Sequence, residues 1–355
     1  MWTFIILVGL LILITAFVLV VEKLLGASGE RTITINEDTL IPVVGNDTAL
    51  NSLSKNKIYI PSACGGKGSC GTCKFRLIDY HEPPKPTEIG LLSKEEVENG
   101  IRLSCQTKVS TDLKIILPKG LLTAKSFKGK VIKLDKMTYD IKLVRFRLDE
   151  PMYFKPGQYG QIEVPGFDEV RAYSIASDSS NPYEIEFIIR QVPNGLASTF
   201  VNRALRIGDT VKLTGPFGDF YLQEESTKPI IMIAGGSGKA PIRSIIYRLM
   251  EQGFKREATY FFGARTEADL YLTDYFLDVS NRFPKFSYVP ALSHEQKDSP
   301  WKGERGLITE VVAKLTDDLS GHEAYLCGSP GMIDACVKVL KSKGMKEENI
   351  YFDKF

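Results

Sequence analysis

Four of the six cysteines, Cys64, Cys70, Cys73 and Cys105, fall in one region with the spacing C-x5-C-x2-C-x31-C. So few cysteines cannot scaffold a long chain with disulfides, and their clustering points to a metal centre in a reducing compartment. A two-iron, two-sulfur cluster needs four thiolates, two per iron, and backbone N–H groups that offset the negative charge of its sulfides. Gly65, Gly66, Gly68 and Gly71 stand among the first three cysteines and let the backbone wrap closely where side chains would obstruct it. Arg102 adds a positive charge close to the last ligand in sequence. A structural zinc site is the alternative, but such sites use paired C-x2-C knuckles. Here one side is a glycine-rich loop of five residues and the last cysteine stands alone. His81, His294 and His322 lie in no H-x-x-H, H-E-x-x-H or C-x-H context. Histidine-ligated zinc and haem are therefore disfavoured, and a low-potential cluster is expected rather than a Rieske centre.

A second group of residues suits a dinucleotide. The apolar run 230–233 leads into Gly235, Gly236 and Gly238, and Pro241 suits the first turn of a following helix. Such a loop lets a pyrophosphate approach the helix N-terminus. The pattern G-x-G-x-x-G is absent, and Lys239 is followed by Ala240 rather than the Ser or Thr of a P-loop, which disfavours an ATPase. Gly195, Ser198 and Thr199 precede a helical stretch and offer N–H groups and hydroxyls to a phosphate. Arg171, Tyr173 and Ser174 form an R-x-Y-S tetrapeptide, which by itself reads as a strand with one surface arginine. Cys327 in isolation reads as a buried core thiol, and Cys336 as core within a helix.

The elements that must carry these residues change character along the chain. Residues 32–36 alternate as a strand, 47–53 read as a short polar-capped helix, and 110–117 as a closing strand. The lysine-punctuated segment 118–130 reads as a connection. Short β-rich runs at 141–148, 159–164, 185–189 and 210–213 then suggest a small antiparallel barrel, with 215–218 as a turn. From residue 229 onward strands (230–234, 258–263, 286–290, 323–327, 349–352) alternate with helices (241–252, 270–276, 307–315, 331–343). That alternation predicts a parallel sheet covered by helices on both faces.

The 355 residues are 43% hydrophobic and 25% charged, enough for two or three globular domains. Lysine and arginine number 45 against 43 acidic residues, without a basic block, so nucleic acid is not an expected partner. Residues 2–21 are uncharged and mostly aliphatic. As a helix they reach about 30 Å, the hydrocarbon thickness of a bilayer. No basic residue precedes the run, which disfavours a cleaved signal peptide. Lys23 and Arg31 follow it, which places the remainder in the cytoplasm as a single-pass protein of the inner membrane.

With these motifs assembled, the cysteine spacing resembles that of plant-type ferredoxins, with one residue more between the first two ligands. The R-x-Y-S segment behind residues 156–159 resembles the flavin signature of the ferredoxin–NADP reductase superfamily, and Cys327, Gly328 and Met332 resemble its C-G-x-P-x-M segment beside the nicotinamide. The resemblance implies that Arg171, Tyr173, Ser174, Gly195, Ser198 and Thr199 bind FAD. It further implies that Gly235, Gly236, Gly238, Pro241, Cys327, Gly328 and Met332 bind NADH, with Ser174, Cys327 and a terminal aromatic gate, Phe355, at the reacting centre. Residues 262–267, where the adenosine ribose is read in this superfamily, lack a basic cluster shaped for a 2′-phosphate. That favours NADH over NADPH, with Arg265 keeping the second open. The whole order is similar to the F subunit of sodium-translocating NADH:quinone reductases. It implies a membrane helix (1–25), a β-grasp [2Fe-2S] ferredoxin domain (30–120), an antiparallel FAD barrel (125–224) and an α/β NAD domain (225–355). On that resemblance electrons pass from NADH through FAD and the cluster to other membrane redox subunits or a quinone. Such F subunits carry an insertion before the R-x-Y-S motif, where this chain has only residues 160–170. The rival readings are the reductase component of a multicomponent oxygenase and a membrane-bound redox sensor.

Overall fold

In the computed structural model residues 2–25, 30–44, 46–79, 83–167, 169–295 and 298–354 are described, in two units, 1–124 and 125–355. The first unit opens with helix α1 (Trp2–Leu25), 24 residues long. The apolar run contains no proline, and Thr15 satisfies its hydroxyl on the Leu11 carbonyl at 2.7 Å. Phe4, Leu7 and Leu13 are largely exposed. Among the described residues no helix is long and apolar enough to count as a membrane span.

The rest of this unit is a mixed sheet of order β2-β1-β5-β3-β4, built from β1 (Glu30–Ile35), β2 (Thr39–Val44), β3 (Lys74–Ile78), β4 (Ile101–Leu103) and β5 (Leu113–Ile116). Only the β1–β5 pair is parallel. Alternation turns Ile33, Ile35, Phe75, Leu77, Leu113 and Ile115 into one core. Helices α2 (Ala49–Lys55), α3 (Pro86–Ile89) and α4 (Lys94–Glu98) complete the unit. The hydroxyl of Thr48 accepts from the Asn51 N–H to start α2, and Ser93 with Glu96 forms a capping box on α4.

The second unit begins with six antiparallel strands: β6 (Lys125–Lys136), β7 (Ile141–Leu148), β8 (Tyr159–Glu163), β9 (Val170–Ser174), β10 (Glu184–Arg190) and β11 (Thr210–Phe217). Their order is β10-β7-β6-β11-β8-β9, and a bridge between Ile175 and Phe187 joins the two edges into a barrel. Short helix α5 (Leu196–Thr199) lies between β10 and β11. Beyond it stands an all-parallel sheet of order β15-β14-β13-β12-β16-β17: β12 (Ile230–Gly235), β13 (Ala258–Ala264), β14 (Phe286–Leu292), β15 (Glu304–Arg305), β16 (Glu323–Gly328) and β17 (Ile350–Lys354). Helices α6 (Lys239–Glu251), α7 (Thr273–Arg282), α8 (Ile308–Leu315) and α9 (Pro330–Ser342) pack against it, which is why β12 and β16 read as continuous apolar runs.

Three elements depart from the sequence expectations. The segment read as a connection over 118–130 contains the start of β6, because its lysines are the outward half of a period-two pattern with Phe127 and Val131 inside. Helix α7 begins later than expected, since Leu272 at its start is held in the left-handed conformation (φ 56°). Residues 215–217 continue β11 rather than forming a turn.

A buried ion pair ties the parallel-sheet domain to the barrel. The Arg243 guanidinium on α6 donates to Glu186 on β10 at 2.5 Å and to the Ala176 carbonyl at 3.1 Å, while Arg145 holds the other Glu186 oxygen at 2.7 Å. Both Glu186 and Arg243 are under a tenth exposed. Removing one member leaves a buried charge poorly compensated, so Arg243→Met should destabilise this unit by about 3 kcal/mol. Chemical denaturation read by the flavin and by tryptophan separately would check it, and an unchanged midpoint would refute it.

Candidate functional site

The cysteine loop is shaped by conformations that only glycine adopts freely: Gly65, Gly66, Gly68 and Gly71 all have φ between 67° and 84°. It sets the thiols in two pairs within hydrogen-bonding reach, Cys64 with Cys70 and Cys73 with Cys105. Burial resists ionisation of Cys64, but hydrogen bonds from the Ser69 backbone, the Cys70 thiol and the Ser69 side chain outweigh it and hold that thiol down to about 6. In the second pair the Cys73 thiol donates to Cys105, which lowers Cys105 to about 7 against its burial and pushes Cys73 up. Among the described residues no three ligating side chains gather about one point. Two pairs of thiols suit the two irons of a [2Fe-2S] cluster, two ligands to each. The residues present therefore fit a [2Fe-2S] cluster.

Two further contacts of this loop were not visible in the sequence. The Gln106 amide points at the Cys105 sulfur at 3.4 Å, and a Cβ at Gly68 would lie 2.5 Å from that amide. The Thr72 hydroxyl stands 3.1 Å from the Cys70 sulfur. Arg102 is buried, and its guanidinium donates to the carbonyls of Val97 and Ile101, closing the end of α4.

In the parallel sheet the strand order reverses direction across β12 and β16, the point where open α/β sheets bind ligands beyond their carboxyl ends. Register sets Ala234 beside Cys327, so the glycine loop and the Cys327-Gly328 loop emerge together. They touch without side chains between them: a Cβ at Gly238 would fall 2.1 Å from the Cys327 carbonyl oxygen, and one at Gly235 would fall 2.9 Å from the Met332 sulfur. Pro241 is buried in the first turn of α6. This bare cradle at a helix N-terminus fits a dinucleotide pyrophosphate.

The R-x-Y-S segment forms β9 on the barrel, with Ser174 opposite Tyr159. The Arg171 guanidinium is held by Glu169 at 2.8 Å and by the Val170 carbonyl. Burial pushes the Tyr173 phenol up to about 12, which keeps a neutral ring available for an aromatic ligand. The Ser198 hydroxyl closes its own loop, accepting from the Val192 N–H at 3.1 Å and donating to the Gly195 carbonyl at 3.2 Å. Any phosphate there would meet backbone N–H groups and Thr199 rather than that hydroxyl. A cleft of about 350 Å³ at the start of β8 and along β17 is lined by Gly157, Tyr159, Gly218, Phe220, Phe352 and Asp353. These residues fit a flavin in type and placement.

Two more residues enter the site without a sequence signal. Asp353 on β17 stands in register with Cys327, and its Oδ2 accepts from the Ser174 hydroxyl at 3.0 Å. Burial pushes the Asp353 carboxyl up, only partly countered by that bond, and burial also pushes the Cys327 thiol up. Arg190, on β10 of the barrel, is held by Asp140 at 2.6 Å, and a Cβ at Gly236 would lie 3.4 Å from its guanidinium. Phe355 lies outside the described residues.

Comparison with known proteins agrees with this geometry block by block. Residues 33–110 match the 2Fe-2S iron-sulfur cluster binding domain, 128–221 the oxidoreductase FAD-binding domain and 232–338 the oxidoreductase NAD-binding domain. The chain belongs to the NADH-dependent flavoprotein reductases of the ferredoxin–NADP reductase superfamily that carry an N-terminal ferredoxin domain. The reductase component DmpP of phenol 2-monooxygenase from Pseudomonas sp. (strain CF600) is 33% identical over 323 residues, which cover 89% of this chain and 91% of that one. The F subunit of the Na(+)-translocating NADH-quinone reductase of Neisseria gonorrhoeae is 32% identical, covering 95% of each. That second alignment runs to 387 residues, longer than this chain, so the relative carries segments absent here. Among solved structures the Amycolatopsis cytochrome P450 reductase GcoB superposes with a TM-score of 0.77 at 29% identity, over 92% of this chain and 98% of that one. The protein is thus an NADH-dependent oxidoreductase whose cofactors are FAD and a [2Fe-2S] cluster.

Asp353 offers a direct test of the site's electrostatics. A carboxyl raised on folding binds its proton more tightly in the folded state. Its stabilising effect is full below the ordinary carboxylate range and is lost as pH rises through the folded value. Asp353→Asn should therefore unfold at a higher temperature than the wild type near neutral pH, with the gap closing on acidification. A gap that widens towards acid pH would refute the assignment.

Proposed function

We propose that this chain is the NADH-oxidising component of a membrane-bound electron-transfer system, anchored by α1 with its other domains in the cytoplasm. The observation that carries this reading is α1 itself: 24 residues of helix, about 36 Å long, whose apolar side chains over residues 6–18 are exposed. Surfaces of that kind mark contact with lipid or with an apolar partner. The flanking Lys23 and Arg31 support the cytoplasmic orientation.

When bound, FAD and the [2Fe-2S] cluster convert a two-electron donor into a one-electron supply. The chain's own task is to hold and orient. Cys64, Cys70, Cys73 and Cys105 ligate the cluster from the domain over 30–120. Arg171, Tyr173 and Thr199, with the backbone N–H groups of the loop that Gly195 and Ser198 shape, hold the flavin on the barrel over 125–224. Gly235, Gly236, Gly238, Pro241, Gly328 and Met332 shape the NADH cradle in the domain over 225–355. Ser174 and Cys327 flank the position where nicotinamide and flavin must meet, with Phe355 as the covering aromatic. Asp353, joined to Ser174 and adjacent to Cys327, orients that hydroxyl.

The acceptor is a quinone-reductase complex or another membrane redox partner. A second reading, the reductase component of an oxygenase, is favoured by one observation. The alignment to the phenol 2-monooxygenase reductase is shorter than this chain, whereas the one to the sodium-translocating enzyme exceeds it.

Fractionation and turnover separate these readings. Full-length protein should stay in carbonate-washed membranes and oxidise NADH with a quinone or ferricyanide, while a chain lacking residues 2–25 should be soluble and keep its ferricyanide activity. Release of the full-length protein by carbonate would remove the anchor. Turnover no faster than a cofactor-stripped control would leave a redox sensor. Cys70→Ala should abolish the cluster's EPR signal yet leave reduction of the flavin by NADH, and loss of both together would contradict the electron order.

A further inference from the structure

Lys239 follows the glycine loop directly, where a phosphate-loop lysine would reach out to its anion. It does the opposite. The side chain is fully buried and turned into the domain. Its ammonium donates to the Tyr271 carbonyl at 2.7 Å and meets the Tyr288 hydroxyl at 3.3 Å. It lies 3.7 Å from the centre of the Phe262 ring, 4.6 Å from that of Tyr271 and 5.0 Å from that of Phe276. Tyr288 and Tyr260 close the cage. Among the described residues no carboxylate offsets this charge, and burial pushes the ammonium well below the usual lysine range.

Ring faces attract a cation, but two features oppose it in the nucleotide-free protein: loss of water and its position as the first residue of α6, where the helix dipole is positive. A bound anion offsets both through its opposite charge. The cage also reaches the loop mechanically. Tyr271, whose carbonyl takes the ammonium, donates its hydroxyl to the Gly236 carbonyl at 2.7 Å. Lys239 therefore charges the loop from inside, and Tyr271, whose carbonyl takes its ammonium, braces it.

We infer that Lys239 is a positioning residue for the pyrophosphate of NADH, and that the dinucleotide binds with a proton taken from solvent onto the Lys239 amine. The inference rests on residues 235–241 being the nucleotide cradle. The other titratable groups around the cage cannot substitute for Lys239. Tyr260 on β13, Tyr271 before α7, Tyr288 on β14 and Cys327 on β16 are all pushed up by burial and stay neutral. The guanidiniums of Arg190 on the barrel and Arg243 on α6 act on Tyr271.

The test is calorimetric titration of the cofactor-loaded full-length protein in detergent with ADP-ribose, in two buffers of different ionisation enthalpy, from about pH 7 to pH 9. The wild type should take up protons on binding, and its affinity should fall as pH rises. Lys239→Met, whose apolar chain suits the cage, should keep its flavin, bind about ten-fold more weakly at neutral pH, take up no proton and lose the pH dependence. Tyr271→Phe should weaken binding but retain proton uptake, since it removes only the brace. Wild-type binding without proton uptake overturns the inference whether or not the variants fold. So does a Lys239→Met protein that binds within about two-fold of the wild type or takes up the same proton. Failure of the wild type to bind ADP-ribose at all would instead remove the cradle itself.

Discussion

The site depends on a close approach between two backbones. Gly238 packs against the carbonyl at the end of β16 so tightly that no other residue fits, and this contact holds the β12 and β16 loops side by side. The parallel sheet supplies the register, and the reversal of strand order supplies the gap above it. Met332 then fills the space that side chains at Gly235 and Gly328 would have taken. The cradle is therefore rigid by subtraction: absent atoms allow the contacts, and the helix α6 starts where those contacts end.

Charge is handled differently at the two cofactor sites. In the cysteine loop, hydrogen-bond donors lower Cys64 and Cys105, while Cys73, the donor to Cys105, is pushed up. In the second unit burial works against charge, and Cys327, Asp353 and the tyrosines near Lys239 are all pushed towards their neutral forms. A neutral, dry pocket suits a site where polar groups must be aimed rather than solvated. Paired carboxylates and guanidiniums are kept to its margins, at Glu186 with Arg243 and Asp140 with Arg190.

What was legible in the sequence was what covalent chemistry and local backbone needs dictate. Cluster ligation fixes cysteine spacing, and close approach of a backbone fixes glycine, so both loops could be read from residue types alone. The parallel sheet followed from long apolar runs. Asp353 could not be read because its place beside Cys327 is set by pairing between β16 and β17, and its bond to Ser174 spans 179 positions of chain. Arg190 was hidden for the same reason. The inward turn of Lys239 is set by rings from β13, β14 and α7, and no local pattern reports where those meet. Strand β6 was masked by its own lysines, which make one face of a barrel strand look like a linker.

The position of β17 has a consequence for how the site comes into being. It is an edge strand that pairs with β16 alone, and it brings Asp353 to a serine on a different domain. Edge elements open more readily than central ones. Synthesis also delivers this strand after every other part of the barrel and sheet. The Ser174–Asp353 contact is therefore completed late, by docking of a single ribbon. Its integrity reports on the folding of both domains at once, so fraying of residues 352–354 alone would break that contact while Ile350 and Tyr351 stay packed on the cores.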